Sequence, residues 1–315
     1  MKKPFAYLLA KPFGLLIICN FFFHAVRAQD STDLFKMLDN QAAGTIDKSQ
    51  TVITTSIFKT TRLINGQSVQ NLGKGILDVK ISHRFGTLNS GAYQLFGLDN
   101  ATMRMGVDYG LTNRLTIGVG RSTYQKEFDA FGKFRILEQS TGRVNIPVSV
   151  SYVGSVMLKT LKNADPTVKT HFSDNLAFSH QLLIASKIND YVSLQVMPTL
   201  IHYNIVSDHT IPNDLYAIGG GGRIRLSKRI NLTAEYYYRL PGYQLPGTYN
   251  SFSVGIDIET GGHVFQFHVT NSTGMTERSF IEETTGQWSK GDLHFGFNIS
   301  RVFTIVKPKD VKAAW

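Results

Sequence analysis

The sequence predicts an all-β fold, a transmembrane antiparallel up-and-down β-barrel of about 12 strands with a less regular N-terminal segment. First, apolar and polar side chains alternate over nine to eleven residues in several segments. Second, short and long connections alternate along the chain. Third, no apolar run after residue 28 approaches the ~18 residues that a membrane helix needs. For a chain that starts with a predicted signal peptide (residues 1–28, below), these properties leave two classes of protein: such a barrel or a soluble all-β protein.

The alternation identifies individual strands. In GILDVKISHRF (75–85), Leu77, Val79 and Ile81 share one face, and Asp78, Lys80 and Arg84 share the other. The segments INLTAEYYYRL, SFSVGIDIE and HVFQFHVTN alternate in the same way. A period of two indicates strands with one apolar and one polar face. Strands of soluble sandwiches are about five or six residues long, whereas ten-residue strands suit a tilted bilayer crossing.

Twelve segments meet this pattern, and the connections between them fall into two sets. The predicted strands are 76–86, 101–110, 114–122, 127–137, 146–160, 174–187, 191–204, 214–227, 230–240, 250–260, 263–271 and 292–303. The short connections are 111–113, 188–190, 227–229 and 261–262, and 138–145 is intermediate. The mostly longer ones are 87–100, 123–126, 161–173, 205–213, 241–249 and 272–291. Short periplasmic turns and long external loops are typical of outer-membrane barrels.

Two hairpins predict a register. A two-residue Gly261–Gly262 loop, which glycine favours because the turn needs positive φ, sets Ile258 opposite Phe265 and Asp257 opposite Gln266. In the hairpin of DLYAIGGGGRIRL and INLTAEYYYRL, a three-residue loop at Lys228–Ile230 sets Arg223 opposite Glu235 and Arg225 opposite Thr233. We therefore expect Arg223 and Glu235 to pair inside the barrel.

The two faces of the strands predict two environments. On the apolar face, Val254, Ile256, Phe265 and Phe267 should meet acyl chains. The polar faces predict a lumen lined by Asp78, Lys80, Arg84, Arg104, Asp108, Lys133, Arg135, Arg223, Arg225, Glu235, Arg239, Asp257, Gln266 and His268.

The ends of the chain differ from the barrel. Residues 1–28 have the basic start, short apolar core and small residues before the cleavage site of a secretory signal peptide. Residues 29–75 are predicted as an N-terminal extension or plug, with a short amphipathic helix in STDLFKMLDN; a thirteenth strand in TVITTSIFKTTRL is the alternative. The barrel then covers 76–304, and 305–315 form a C-terminal tail.

Composition excludes several classes of function. The net charge of +10 falls to +6 when the signal peptide removes Lys2, Lys3, Lys11 and Arg27. This charge is scattered, which argues against nucleic-acid binding because that needs a concentrated basic face. The sole cysteine, Cys19, lies in the signal peptide, so a disulfide framework and thiolate chemistry are not expected.

Long stretches of the chain resemble a known family. The blocks FKTTRLINGQSVQNLGKGILDVKISHRFG, LFGLDNATMRMGVDYGLTNRLTIGVGRS and FQFHVTNSTGMTERSFIEETTGQWSKGDLHFGFNISRVF are similar to an uncharacterised family of outer-membrane β-barrels from Bacteroidota. The likeness spans roughly residues 50–305. It implies a barrel in the bacterial outer membrane and brings no catalytic residues.

The sequence gives only weak evidence for catalytic, phosphate-binding or metal-binding residues. Some outer-membrane barrels are lipid hydrolases, and His268, Thr270 and Ser272 could suggest one, but the pattern turns His268 inward. GGGGR (219–223) lacks the Lys-Ser/Thr of a phosphate-binding loop. Loop aspartates could hold Ca²⁺, but solvated carboxylates are the more common case; they are Asp165, Asp174, Asp208 and Asp214. We expect no catalytic residue, no metal and no cofactor.

Three functional hypotheses follow. The leading one is a channel or transporter for small solutes or lipophilic molecules. The alternatives are a structural or interaction barrel with a filled lumen and, third, an outer-membrane lipid hydrolase. The expected partners are outer-membrane lipid, a transported solute of unknown identity, and the outer-membrane assembly machinery, which a final strand ending in Phe303 suits.

Overall fold

A computed structural model describes residues 50–162, 171–206 and 211–306 of the chain. The predicted signal peptide, the predicted helix at 31–40 and residues 307–315 of the tail lie outside the described residues. Among the described residues, no helix is long and apolar enough to cross a membrane.

Fourteen strands and six short helical turns form the described chain. The strands are β1 (Thr51–Ile53), β2 (Ile76–Thr87), β3 (Ala101–Gly110), β4 (Leu115–Ser122), β5 (Phe128–Leu137), β6 (Ser140–Gly142), β7 (Ser149–Leu158), β8 (Leu176–Lys187), β9 (Val192–Tyr203), β10 (Asp214–Arg225), β11 (Ile230–Arg239), β12 (Phe252–Thr260), β13 (His263–Thr270) and β14 (His294–Thr304). The helical turns are the 3-10 turns Leu88–Ser90, Ala92–Gly97, Tyr124–Lys126, Phe172–Asn175 and Trp288–Lys290 and the π-helix Arg278–Glu282.

Twelve of these strands close into one antiparallel barrel, which confirms the predicted fold class. Each barrel strand pairs with the next along the chain, and β14 pairs with β2 to complete the closure. Only β1 and β6 lie outside the barrel, where they pair with each other. Because the barrel is closed, it has no unpaired edge.

The connections define two ends of the barrel. At the short-turn end, strands are joined by 111–114, 188–191, 226–229 and 261–262, and by 138–148, which contains β6. At the long-loop end, they are joined by 88–100, 123–127, 159–175, 204–213, 240–251 and 271–293. Both β2 and β14 have their outer termini at the short-turn end, as an even strand count requires.

The β12–β13 hairpin has the predicted register and faces. Gly261 and Gly262 form the turn with φ of 47° and 125°, and Ile258 pairs with Phe265 while Asp257 pairs with Gln266. Ile256 and Phe267 are 42% and 41% exposed on the outer face. Asp257 and Gln266 are 4% and 3% exposed on the inner face. The alternation therefore sorts side chains between outside and lumen as predicted.

The predicted pairing of Arg223 with Glu235 is wrong. Arg223 pairs with Thr233, Arg225 with Asn231, and Glu235 with Gly221. The faces are correct but the register is shifted by two residues, because the turn is centred on Lys228, one residue earlier than predicted, and the Leu226 N–H donates to the Ile230 carbonyl across it (2.9 Å). The Ser227 hydroxyl accepts hydrogen bonds from the backbone N–H groups of Arg229 (3.2 Å) and Ile230 (3.0 Å), which stabilises this turn.

We expect the outer face of β12 to show the depth dependence of a lipid-facing strand. Ile256→Arg should destabilise the barrel by roughly 2–4 kcal/mol, and Thr260→Arg by about 0–1 kcal/mol, since arginine is costly at the bilayer midplane and tolerated near the interface. Both residues are exposed on the same strand, and Thr260 lies at its short-turn end. Urea unfolding of the protein refolded into liposomes measures both values. Equal losses would mean that this face does not meet lipid.

Candidate functional site: a lumen filled from both ends

The N-terminal segment enters the barrel lumen. We call residues 54–75 the plug segment. At the short-turn end, the Gly75 N–H donates to the Gly110 carbonyl (2.8 Å) and the Leu72 N–H donates to Thr116 Oγ1 (3.1 Å). Deeper in the lumen the segment reverses in a tight turn, where the Leu63 N–H donates to the Gly66 carbonyl (2.8 Å). In place of a long thirteenth strand, only Thr51–Ile53 of this region is a strand.

The tip of the plug segment is held by Glu235. Its carboxylate accepts three backbone hydrogen bonds, from Ile64 (3.2 Å), Asn65 (2.8 Å) and Gly66 (3.0 Å). Glycine is required at position 66, since a Cβ there would lie 2.1 Å from the Tyr237 hydroxyl and 3.3 Å from Glu235. Glu235, predicted to line the lumen, therefore faces inward and binds the plug backbone instead of an arginine.

Three wall amides also bind the backbone of the plug segment. Gln266 Nε2 donates to the Leu63 carbonyl (2.6 Å), and Asn298 Nδ2 donates to the Ile64 carbonyl (2.9 Å). Gln195 accepts from the Val69 N–H (2.7 Å) and donates to the Gln67 carbonyl (2.8 Å). These contacts satisfy backbone groups that would otherwise be buried without partners.

A cluster of predicted lumen residues lies beneath the plug segment. Lys133 Nζ donates to the Thr61 carbonyl at 3.1 Å. Lys80 forms an ion pair with Asp108 and a second one with Asp78, at 3.1 Å. Lys133, Lys80, Asp78 and Asp108 are all at most 5% exposed. The charged side chains of the wall therefore form ion pairs with one another and hydrogen bonds with the plug segment.

Arg104 occupies a space made by glycines. Its Nε donates to Asp129 Oδ1 at 2.8 Å, and its Nη2 lies 2.5 Å from Asp129 Oδ2. Gly106 and Gly120 pair across β3 and β4, and a Cβ on either would lie within 2.7 Å of the guanidinium. The sequence interpretation missed the partner Asp129 and these two glycines, although their inward parity in β3, β4 and β5 was available as a signal.

Arg84, Asp257 and His268 line the same side of the lumen. Arg84 donates to Asn298 Oδ1 (3.0 Å) and to the plug's Asn65 Oδ1 (2.7 Å). Asp257 accepts from the Thr233 hydroxyl at 2.8 Å. His268 is 3% exposed, and neither ring nitrogen has a hydrogen-bond partner among the described residues.

The four remaining predicted lining residues make separate contacts. Arg223 is buried and donates to Ser193 Oγ at 3.4 Å. Arg239 is buried, and its Nη1 lies 3.7 Å from Glu282 Oε2. The last two are half-buried: Arg135 forms an ion pair with Glu138 at 2.5 Å, and Arg225 lies 5.2 Å above the Tyr191 ring.

A second segment fills the lumen from the long-loop end. In the β13–β14 loop (271–293), the π-helix Arg278–Glu282 is completely buried. Arg278 forms an ion pair with Glu283 at 2.9 Å. The two segments contact each other at an ion pair, in which Arg62 Nη1 of the plug segment lies 3.7 Å from Glu277 Oε1 of the loop. Two cavities, of about 220 Å³ and 290 Å³, lie between the plug segment and the wall near the short-turn end.

One part of the lumen wall is apolar, which was not predicted. The inner faces of β7 to β10 carry side chains with no exposed surface, namely Val153, Met157, Leu183, Met197, Ile201 and Leu215. They cluster with Leu63 and Val69 of the plug segment and with Phe280 and Ile281 of the β13–β14 loop. The lumen therefore has a charged side and an apolar side.

Buried carboxyls make closure by the β13–β14 loop pH-dependent. Burial raises the pKa of Glu127 to about 7, although Arg278 and the Thr276 hydroxyl act in the opposite direction. Burial likewise raises the pKa of Glu282 to about 8. Because these pKa values exceed the ordinary value of 4.5, Glu282 of the loop and Glu127, which lies against it, gain protons on folding. The stability of the folded loop therefore falls as the pH rises from about 4.5 to about 8.

The urea midpoint of unfolding should therefore be higher at pH 5.5 than at pH 8. In Glu127→Gln the difference between the two pH values should shrink, since the amide does not titrate. An unchanged difference in this variant would show that Glu127 is not responsible.

The described ranges contain no group of three or more His, Cys, Asp and Glu side chains placed to hold a metal ion. Of the aspartates considered for Ca²⁺, Asp165 and Asp208 lie outside these ranges, and Asp174 and Asp214 lie at the long-loop end. Asp214 pairs there with His202 at 2.7 Å.

Several solved outer-membrane proteins are similar to this chain at low sequence identity. The NanC porin is 8% identical, with 73% of this chain and 100% of that chain covered and a TM-score of 0.45. An outer membrane channel from Pseudomonas putida F1 is 13% identical, with coverages of 75% and 98% and a TM-score of 0.43. Outer membrane protein Omp33 of Acinetobacter baumannii is 8% identical, with coverages of 74% and 100% and a TM-score of 0.41. At these values the likenesses carry no argument about function.

Family membership comes from the sequence. No curated protein matches the chain. The model of the family described as "Membrane bound beta barrel domain (DUF5777)" matches residues 58–303, well over half of the chain. The chain therefore belongs to this family of membrane-bound β-barrels, and its closed, even-stranded antiparallel barrel places it in the bacterial outer membrane.

Proposed function

We propose that the protein is a channel for small solutes that is closed, in the conformation described here, by the plug segment. The observation that supports this most is how the plug is held. Glu235, Gln195, Gln266 and Asn298 bind its backbone through hydrogen bonds. Water can replace such bonds when the plug leaves, so the net cost is limited to about 0.5–1.5 kcal/mol for each bond of a neutral side chain and about 1.5–3 kcal/mol for each bond to the Glu235 carboxylate.

The charged wall also supports a water-filled state. Ion pairs such as Lys80–Asp108 and Arg104–Asp129 are costly to bury, and apolar residues of similar volume would often stabilise a permanently dry core better. A polar interior is typical of barrels that hold water. A passage opened by plug withdrawal would have one charged and one apolar side, which suits small amphipathic solutes.

The second candidate is a structural or interaction barrel whose lumen stays filled. The β13–β14 loop favours it, because this loop also fills part of the lumen and contacts the plug through Arg62 and Glu277. In this case withdrawal of the plug segment alone would leave the barrel closed.

A non-enzymatic role is part of the proposal. The Ser272 hydroxyl donates to the Gly274 carbonyl (3.3 Å), and no hydrogen bond joins it to His268 in the described structure. The three sequence blocks that suggested the family also support an origin in Bacteroidota.

Liposome swelling tests the proposal. Proteoliposomes containing the chain without residues 54–72 should swell in small sugars and amino acids, and those containing the full chain should swell much less. Heat-modifiable gel migration checks that both variants form closed barrels. Folded barrels that do not swell after plug deletion would contradict a channel and favour the filled-lumen barrel.

A further inference from the structure

Two grooves cut into the lipid-facing outer surface of the barrel meet at one histidine. A groove of about 370 Å³ runs over β8 to β10, where Leu182, Pro198 and Ile218 line it. A groove of about 340 Å³ runs over β5 to β8, where Gly132 and Val156 line it. His180 lines both. The volumes lie at the lower end of the range for small-molecule sites.

A polar pair lies at the junction of the grooves. The Tyr152 hydroxyl is 2.6 Å from His180 Nδ1, and both side chains are exposed on the outer face. Gly154, which pairs with His180 across β7 and β8, leaves room for this contact, since a Cβ there would lie 3.3 Å from the Tyr152 hydroxyl. A polar pair with apolar grooves on both sides matches a molecule with two apolar parts and a polar junction.

The strand ladder is interrupted at the same place. Pairing between β8 and β9 runs to Gln181–Thr199 and resumes in the same register at Ile184–Val196, so the positions Leu182–Pro198 and Leu183–Met197 are missing from this ladder. The register shifts of the described barrel lie elsewhere, near strand ends. Proline offers no N–H, and unpaired backbone groups are costly in hydrocarbon. The Leu182 carbonyl therefore lacks its usual donor, which leaves one polar backbone group in the groove that Tyr152 and His180 line.

We propose that this surface binds one diacyl lipid, with one acyl chain in each groove and the ester region at the Tyr152–His180 pair. Neither groove is lined by a lysine or arginine. Recognition therefore depends on the two chains and the ester oxygens, and a phosphate headgroup contributes little. The proposal needs the barrel to lie in a membrane and does not depend on whether the lumen conducts.

Native mass spectrometry of the full chain in detergent tests this, with diacyl phosphatidylethanolamine as the probe. Gly132→Leu places a side chain in the smaller groove, where a Cβ meets no atom within 4 Å, so the fold should tolerate it. Gly220→Leu is the matched control, because Gly220 is an equally open glycine on β10 and lines neither groove. Tyr152→Phe removes only the hydroxyl.

The full chain and Gly220→Leu should retain one diacyl lipid. Gly132→Leu and Tyr152→Phe should each bind it about tenfold more weakly, the effect of losing about one hydrogen bond or a few buried methylenes. We expect a lysolipid and free palmitate to bind the full chain at least tenfold more weakly than the diacyl lipid does. Equal retention by Gly132→Leu and Gly220→Leu would overturn the proposal, as would palmitate binding as tightly as the diacyl lipid.

Discussion

Replacing Glu235 with alanine is expected to raise the population of the open lumen about a hundredfold. The carboxylate accepts three backbone hydrogen bonds at the plug tip, and each hydrogen bond to a charged group contributes about 1.5–3 kcal/mol, net of the bonds to water that it replaces, so the loss of one or two of them is enough for the effect. A net loss of about 3 kcal/mol corresponds to that factor. Open probability in planar bilayers measures it.

Glu259→Ala is the matched control for this variant. Glu259 also contacts the plug segment, through an ion pair with Lys59 at 2.7 Å, but its side chain is 41% exposed. Exposed ion pairs contribute about 0–1 kcal/mol, so this variant should conduct much like the unmodified chain. If the two variants conducted equally, Glu235 would not be the anchor of the plug.

The second large effect is expected for Arg104. Arg104→Ala should lower the free energy of unfolding by about 3–5 kcal/mol, because Asp129 is left as an unpaired buried charge. The two side chains are 2% and 3% exposed. Urea unfolding in liposomes measures the loss.

The double variant Arg104→Met/Asp129→Leu separates the charge from the packing. It removes both charges and replaces them with apolar volume, and it should recover most of the stability that Arg104→Ala loses. If the double variant were as unstable as Arg104→Ala, lost packing over Gly106 and Gly120 would be the cause in place of the unpaired carboxylate.

Local sequence patterns were sufficient to predict the strands, their faces and one register. Asp257 and Gln266 alternate with Ile256 and Phe267, and this period of two is set by the strand itself. The Gly261–Gly262 turn then fixes the β12–β13 pairing, because both residues adopt positive φ.

The β10–β11 register could not be predicted from parity alone. Turns centred one residue apart keep Ile224 and Leu232 on the same face, so the pattern cannot distinguish them. The Ser227 side chain stabilises the turn centred on Lys228, and this turn places Glu235 opposite Gly221 and away from Arg223.

The contents of the lumen depend on contacts between residues far apart in sequence. Glu235 binds residues about 170 positions away, and no local pattern signals such a contact. A signal for the apolar wall was present, since LLIAS (182–186) is apolar on both faces and LQVMPTLI (194–201) adds Met197 and Ile201 to the inner one. A strand with this composition indicates burial on both sides, and here the plug segment and the β13–β14 loop cover the inner one.

Tethering the plug tests the central claim most directly. Asn65 Nδ2 lies 3.1 Å from Ser253 Oγ, so cysteines at these two positions should form a disulfide, and the only native cysteine, Cys19, is in the predicted signal peptide. In the Glu235→Ala background, the oxidised protein should show no single-channel conductance, and adding a reductant should restore it. The same conductance before and after reduction would contradict a lumen closed by the plug segment.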